Sequence, residues 1–207
     1  ADYNQIDAQV MDPGSELYAF EPNAVLIQMC TEKRYEAFCA APLAQRAAFA
    51  EDTYARIRRI WERINANTKS RILQCNFPLM DDGSFGQYGN KTLESFLFQQ
   101  RKLNFLLMQG CQDVKNVYLV DLDALQSLRG REKFSDARLY YIAKMPISVE
   151  MLPSAAKQVV DIVQALRGAV KKCVVVDLDN TLWGGVIGDD GLSGIQIGEL
   201  GTGHAFA

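Results

Sequence analysis

The stretch Val174-Val175-Val176-Asp177-Leu178-Asp179-Asn180-Thr181-Leu182-Trp183 decides how this chain is read. Three β-branched residues run into carboxylates on alternate positions, a hydroxyl two residues later, and then Gly184-Gly185. β-Branched runs favour strands, and a buried parallel strand delivers polar side chains to the carboxyl rim of its sheet. Residues i and i+2 of a strand share a face, so both acids can meet one ligand as the chain leaves the sheet. Close carboxylates repel, and such a pair calls for a cation or a shared proton. Mg²⁺ suits, because it is hard and takes one or two carboxylates together with substrate oxygens and water.

Outward from this motif, strands alternate with helices. Apolar runs at 25–29, 71–77, 117–122 and 173–178 read as strands. Helices are expected over 42–65, 93–109, 123–128 and 154–168. In the first, Ala50, Tyr54, Ile57, Trp61 and Ile64 recur at steps of four and three, while Arg56, Arg59 and Glu62 fall elsewhere on the wheel. Thr92 is placed as the cap of the second helix and Gly110 as its stop. This αβαβ order predicts an α/β fold: a three-layer, flavodoxin-like parallel sheet domain over 1–168, followed by the start of a second, Rossmann-like domain over 169–207.

A near-copy of the motif serves as an internal control. Val117-Tyr118-Leu119-Val120-Asp121-Leu122-Asp123 also ends in Asp-Leu-Asp, but no hydroxyl stands two residues after its second Asp and no glycine-rich segment comes just after it. It reads as a strand leading into a helix capped by Asp123.

The bulk numbers exclude several classes. A net charge of −3 argues against a general nucleic-acid or anionic-membrane binder. The cluster Arg56-Ile57-Arg58-Arg59 reads as a solvated helix face. No run approaches the roughly 18 apolar residues of a membrane span, and Ala1-Asp2-Tyr3-Asn4 carries no secretory signal. Five cysteines are widely spaced and form no CxxC pair. Cys75 and Cys173, in apolar runs, read as buried reduced thiols of a cytoplasmic protein. The single histidine, His204, has no partner at zinc-ligand spacing. The chain opens without Met and closes at Ala207 in mid-element, so it is expected to be a piece of a longer protein.

The motif suits phosphoryl chemistry. One Asp can attack phosphorus and form an aspartyl-phosphate; the other can protonate the leaving group and then activate water. Thr181 and the amides around Asn180 can donate to phosphoryl oxygens.

Asp177-Leu178-Asp179-Asn180-Thr181 resembles the first motif, DxDx[TV], of the haloacid dehalogenase (HAD) superfamily. The longer string from Lys171 to Gly198 is similar to the FkbH-like branch, phosphatase subfamily IIIC. Upstream, Asp12-Pro13-Gly14-Ser15-Glu16-Leu17-Tyr18, Asn76-Phe77-Pro78 and the stretch Asp136 to Ser148 resemble the region preceding the HAD domain in those proteins. The resemblance implies Asp177 as nucleophile and Mg²⁺ ligand, and Asp179 as general acid/base whose backbone carbonyl is also a metal ligand. Thr181 and Asn180 would hold the substrate phosphoryl group. Residues 183–191 would form a β-hairpin flap, with Asp189 and Asp190 read equally well as turn residues beside Gly188 and Gly191. The later motifs, a Ser/Thr, a basic residue and a distal acidic pair, find no match before Ala207. The chain by itself is therefore expected to be catalytically incomplete.

The region before the motif resembles a degenerate SGNH-hydrolase-like domain, in which Asn76 is the position comparable to an oxyanion-hole Asn and Tyr140-Tyr141 stand where a His is expected. For the parent protein the resemblance implies a Mg²⁺-dependent phosphatase or phosphotransferase with a phosphorylated small-molecule substrate. In the FkbH manner, it would load a phosphorylated three-carbon unit onto an acyl carrier protein. Two other expectations stand beside it. One is a non-catalytic module gripping a carrier protein or sugar through the 81–90 loop or Arg56, Arg58 and Arg59. The other is a residual SGNH esterase.

Overall fold

A computed structural model describes residues 5–80, 82–169, 171–198 and 201–206. The helices are α1 Ile6–Met11, α2 Glu16–Ala19, α3 Thr31–Ala40, α4 Leu43–Arg46, α5 Phe49–Asn67, α6 Phe96–Asp113, α7 Leu122–Arg129, α8 Arg131–Phe134, α9 Ala137–Ala143, α10 Leu152–Leu166 and α11 Ile187–Gly194. The strands are β1 Ala24–Ile27, β2 Arg71–Cys75 and β3 Val117–Val120. Short 3₁₀ turns span Gly86–Lys91, Val149–Met151 and Gly201–Phe206. The chain divides into two compact units, the first ending at Val163 and the second starting at Gln164.

In the first unit the three apolar runs pair in parallel in the order β1-β2-β3. Ile72 sits opposite Val25 on one side and Val117 on the other. The central strand buries Ile72, Leu73, Gln74 and Cys75, as a parallel strand covered on both faces must. Successive side chains alternate between faces. On one face Ile27, Ile72 and Val117 pack with Ile57, Ile60, Trp61 and Ile64 of α5 and with Leu103 and Leu107 of α6. On the other, Leu73, Cys75 and Val120 pack with Leu122 and Leu125 of α7, Phe134 of α8 and Ala155 of α10. Burying each such aliphatic or aromatic side chain contributes about 1.5–3 kcal/mol relative to exposure.

The amphipathic reading of α5 holds: Ala50, Ile57, Trp61 and Ile64 are buried. The expected 42–65 helix is broken, with α4 and α5 separated at Ala47-Ala48. Polar groups inside this layer are matched. Trp61 donates its indole N–H to Gln74 Oε1 at 3.0 Å, and Gln74 Nε2 donates to the Cys75 carbonyl at 2.8 Å.

Several local expectations are corrected. Ser95, not Thr92, caps α6, its hydroxyl accepting the Phe98 N–H at 3.1 Å. Gly110 does not end that helix but lies inside it, where α5 and α6 touch. A Cβ there would stand 3.0 Å from Trp61 Cζ3 and from Tyr54 Cε2. Asp121 caps α7, accepting the Ala124 N–H at 2.9 Å, while Asp123 faces the loop after β2 and accepts the Leu79 N–H at 2.9 Å. Cys75 is buried, but Cys173 is exposed; all five thiols are free. Arg56 pairs with Asp7 and Arg58 with Glu62, so two of the three arginines in that cluster already face carboxylates. Of the 81–90 loop, Asp81 lies outside the described residues and Gly86–Lys91 is a 3₁₀ turn. No described helix is long and apolar enough to cross a membrane.

The expected strand at 173–178 does not form. Among the described residues it pairs with no other strand, and Val174, Val175 and Val176 are exposed, Val175 by 93%. An extended apolar segment becomes a strand only when a neighbour satisfies its N–H and C=O groups.

Candidate functional site

The second unit builds a tight acidic loop immediately after that extended segment. Leu182 N–H donates to the Leu178 carbonyl at 2.9 Å, turning the chain back on itself. Asn180 then adopts a left-handed conformation, φ +54°, which Asn tolerates better than most residues. Its side-chain oxygen accepts the Gly185 N–H at 2.9 Å, and its own N–H donates to the Gly185 carbonyl at 3.2 Å. These reciprocal bonds close the loop. Gly185 has φ +98°, and a Cβ there would lie 2.9 Å from Asp190 Oδ2, so glycine is required twice over. Gly184 is buried and exchanges two backbone hydrogen bonds with Gln196, at 2.9 and 2.7 Å.

Within this frame the expected site residues differ in how firmly they are held. Asp179 is fixed: its Oδ1 accepts the Trp183 indole N–H at 2.9 Å and the Ile187 backbone N–H at 3.1 Å. Asp177 is exposed, and among the described residues its carboxylate accepts only the N–H of its neighbour Leu178, at 2.9 Å. Thr181 is exposed and is tied down through its backbone, which donates to the Leu178 carbonyl at 3.3 Å. Asn180 spends its carboxamide oxygen on closing the loop.

The expected β-hairpin flap is present only as the Gly184–Gln196 bridge. Between its ends lies α11, and Asp190 accepts the Val186 N–H at 2.8 Å at the start of that helix. The support of Asp179 by Trp183 and Ile187 is what reading the sequence missed. A tryptophan four residues after an acid carries no signal until the turn at Leu178 brings the two together.

Asp177 and Asp179 offer the hard oxygen donors that Mg²⁺ prefers, and Asp179 is already oriented by two N–H groups. The set fits the ion in kind but is short in number. Among the described residues no three His, Cys, Asp or Glu side chains converge on one point.

At the carboxyl ends of the strands in the first unit, Asn76 is fully committed. Its Nδ2 donates to Asp121 Oδ1 at 2.7 Å and its Oδ1 accepts the Asp123 N–H at 3.1 Å. Asn76 therefore cross-links the ends of β2 and β3. Burial raises the Asp123 carboxyl above the ordinary range, partly offset by the Leu79 N–H.

A parallel α/β unit with a polar cross-link at its strand ends, followed by a glycine-closed acidic loop, defines the class of protein. The chain belongs to the FkbH N-terminal domain family, whose profile matches residues 1–164. It is also similar, at 36% identity and a TM-score of 0.91, to a crystal structure of the N-terminal part of the protein BF1531 from Bacteroides fragilis. That structure is described as containing a phosphatase domain and as complexed with Mg. The match covers 100% of this chain and 54% of the solved one, so this chain spans about half its length. No curated protein matches the chain.

Proposed function

We propose that this chain is part of a Mg²⁺-dependent phosphohydrolase or phosphotransferase of the HAD type, with 1–168 as its SGNH-like domain and 169–207 as the start of its catalytic domain. One observation carries the reading. The acidic loop with its oriented Asp179 occurs in a chain that aligns over its whole length with a Mg-bound protein containing a phosphatase domain.

In this reading Asp177, exposed and lightly bonded, is the nucleophile that takes the phosphoryl group as an aspartyl-phosphate. Asp179, held by Trp183 and Ile187, gives a proton to the leaving oxygen and later takes one from water. The exposed Thr181 hydroxyl donates to a phosphoryl oxygen. The Asp177 carboxylate and the Asp179 backbone carbonyl would hold Mg²⁺, which would offset the repulsion between the attacking carboxylate and an anionic substrate.

The finer reading follows the FkbH resemblance: a phosphorylated three-carbon substrate, an acyl carrier protein as acceptor, and a cytoplasmic location, which the five free cysteines support.

The test is phosphatase turnover by the full-length parent against a panel of small phosphorylated acids, with and without Mg²⁺. Asp177→Asn is expected to abolish turnover, by at least about a thousandfold, as removal of a covalent nucleophile does. Turnover that survives Asp177→Asn overturns the reading. A mass shift on an acyl carrier protein incubated with the parent and substrate tests the finer reading alone. Residues 1–207 without the remainder are expected to show no Asp177-dependent turnover.

A further inference from the structure

β1 is an edge strand with the sequence of an interior one. Ala24-Val25-Leu26-Ile27 is apolar throughout, the pattern of a parallel strand enclosed by its neighbours. Among the described residues it pairs only with β2. It contains neither a charged side chain nor a proline, and its register with β2 runs without a bulge, so the usual guards of an open edge are missing. β3, the opposite edge, is equally apolar, but none of its residues is exposed.

Leu26 shows what β1 lacks. It sits opposite Leu73 in the ladder, yet Leu73 is 2% exposed and Leu26 49%. The layer of α7, α8 and α10 that covers Leu73 includes no residue of β1. The Arg71 N–H donates to the Asn23 carbonyl at 3.0 Å. Backbone groups alternate in direction along a strand, so those of Ala24 and Leu26 point away from β2. Beside this edge runs an open cleft of about 480 Å³, walled by Ile6, Val10, Leu17 and Phe20 as well as by β1.

The hand of the crossovers says which part of the chain fits there. The steps from β1 to β2 through α5 and from β2 to β3 through α6 run the same way across the sheet, with both helices on one face. α1 lies on that face too. Val10 is buried in the same cluster, Ile6 packs against it, and Arg63 of α5 donates to the Met11 carbonyl at 3.2 Å. Parallel crossovers are right-handed in about 98% of cases. A strand leading into α1 therefore belongs on the side of β1 away from β2. The similar solved protein has chain to spare, since the matched part is 54% of it.

We propose that a segment of the parent protein upstream of Ala1 supplies an apolar strand that pairs in parallel with β1 and closes the cleft. It bonds the outward backbone groups of Ala24 and Leu26 and covers the Leu26 side chain. This strand site lies wholly in the first unit and stands independently of the phosphoryl chemistry proposed for the second.

The experiment uses the full-length parent. A photo-crosslinker is placed on the edge by Leu26→p-benzoylphenylalanine, and the crosslinked peptides are identified by mass spectrometry. The main crosslink is expected to run within one molecule to residues upstream of Ala1. Hydrogen exchange is then compared between the parent and a version lacking those residues. Removal should speed exchange at 24–27 about tenfold or more while 71–75, the internal strand, stays slow. The proposal is overturned if the main crosslink runs to residues downstream of Ala207 or to a second molecule, or if no crosslink forms. Exchange at 24–27 that is unchanged by the removal also overturns it. The crosslink is made in the intact parent, so it decides the question even where the shortened protein fails to fold.

Discussion

Trp183 donates its indole N–H to Asp179 Oδ1 at 2.9 Å, across a turn of four residues. The same oxygen takes the Ile187 N–H, so two donors set the direction of the carboxylate in the proposed acid/base role. Trp183→Phe keeps a large ring and removes one donor. A hydrogen bond to a charged group contributes about 1.5–3 kcal/mol, so kcat of the full-length parent should fall about tenfold or more. Steady-state kinetics check this. Unchanged kcat would mean that the Ile187 N–H orients the acid alone.

The Trp61–Gln74 pair spans α5 and the central strand and is fully buried. Trp61→Phe should destabilise the first unit by more than its lost area, because Gln74 Oε1 is left without a donor at about 1–3 kcal/mol. Adding Gln74→Leu should recover part of that loss. A denaturant double-mutant cycle measures the coupling; a purely additive result would show that the bond contributes nothing.

Gly110 lies where α5 and α6 meet. An alanine there gains about 1 kcal/mol of helix propensity, but its methyl meets Trp61 and Tyr54 at 3.0 Å. Overpacking typically costs about 1–3 kcal/mol, so Gly110→Ala should lower the stability of the first unit. A melt at or above the wild-type temperature would show that the helices can part.

Burial pushes the Cys75 thiol up to about 12 and the Cys111 thiol up to about 11. Burial, reinforced by the hydrogen bond to Glu32, pushes Cys30 to about 11. A raised folded-state value means that the unfolded chain loses the proton first. The stabilising contribution is full below about pH 9, the ordinary value, and is lost as pH rises through 11–12. Equilibrium unfolding between pH 8 and pH 11 should show stability falling with pH. Alkylation at pH 8 should label exposed Cys39 and Cys173 rapidly and leave Cys75 unreacted until the protein unfolds.

Much of the first unit was legible because its signals are local. Short β-branched and apolar runs marked β1, β2 and β3. The spacing of Ala50, Ile57, Trp61 and Ile64 marked the buried face of α5. Caps were less legible, since Thr92 and Ser95 are both competent and Asp121 and Asp123 are two residues apart. Only the path of the preceding loop selects between them. Gly110 looked like a helix end because the close approach of α5 is invisible in one dimension.

The sequence by itself determined an α/β chain with alternating strands and helices, and it singled out Asp177, Asp179, Asn180 and Thr181 by type and spacing. Tertiary structure decided which apolar runs became strands: 71–75 gained neighbours on both sides and was buried, while 173–178 gained none among the described residues and stayed exposed. It also decided that Asp179 is gripped while Asp177 is lightly held. The physical reason is common to both. Composition and periodicity record what each residue prefers, whereas ladder hydrogen bonds, cross-chain donors and cavities exist only once distant segments meet.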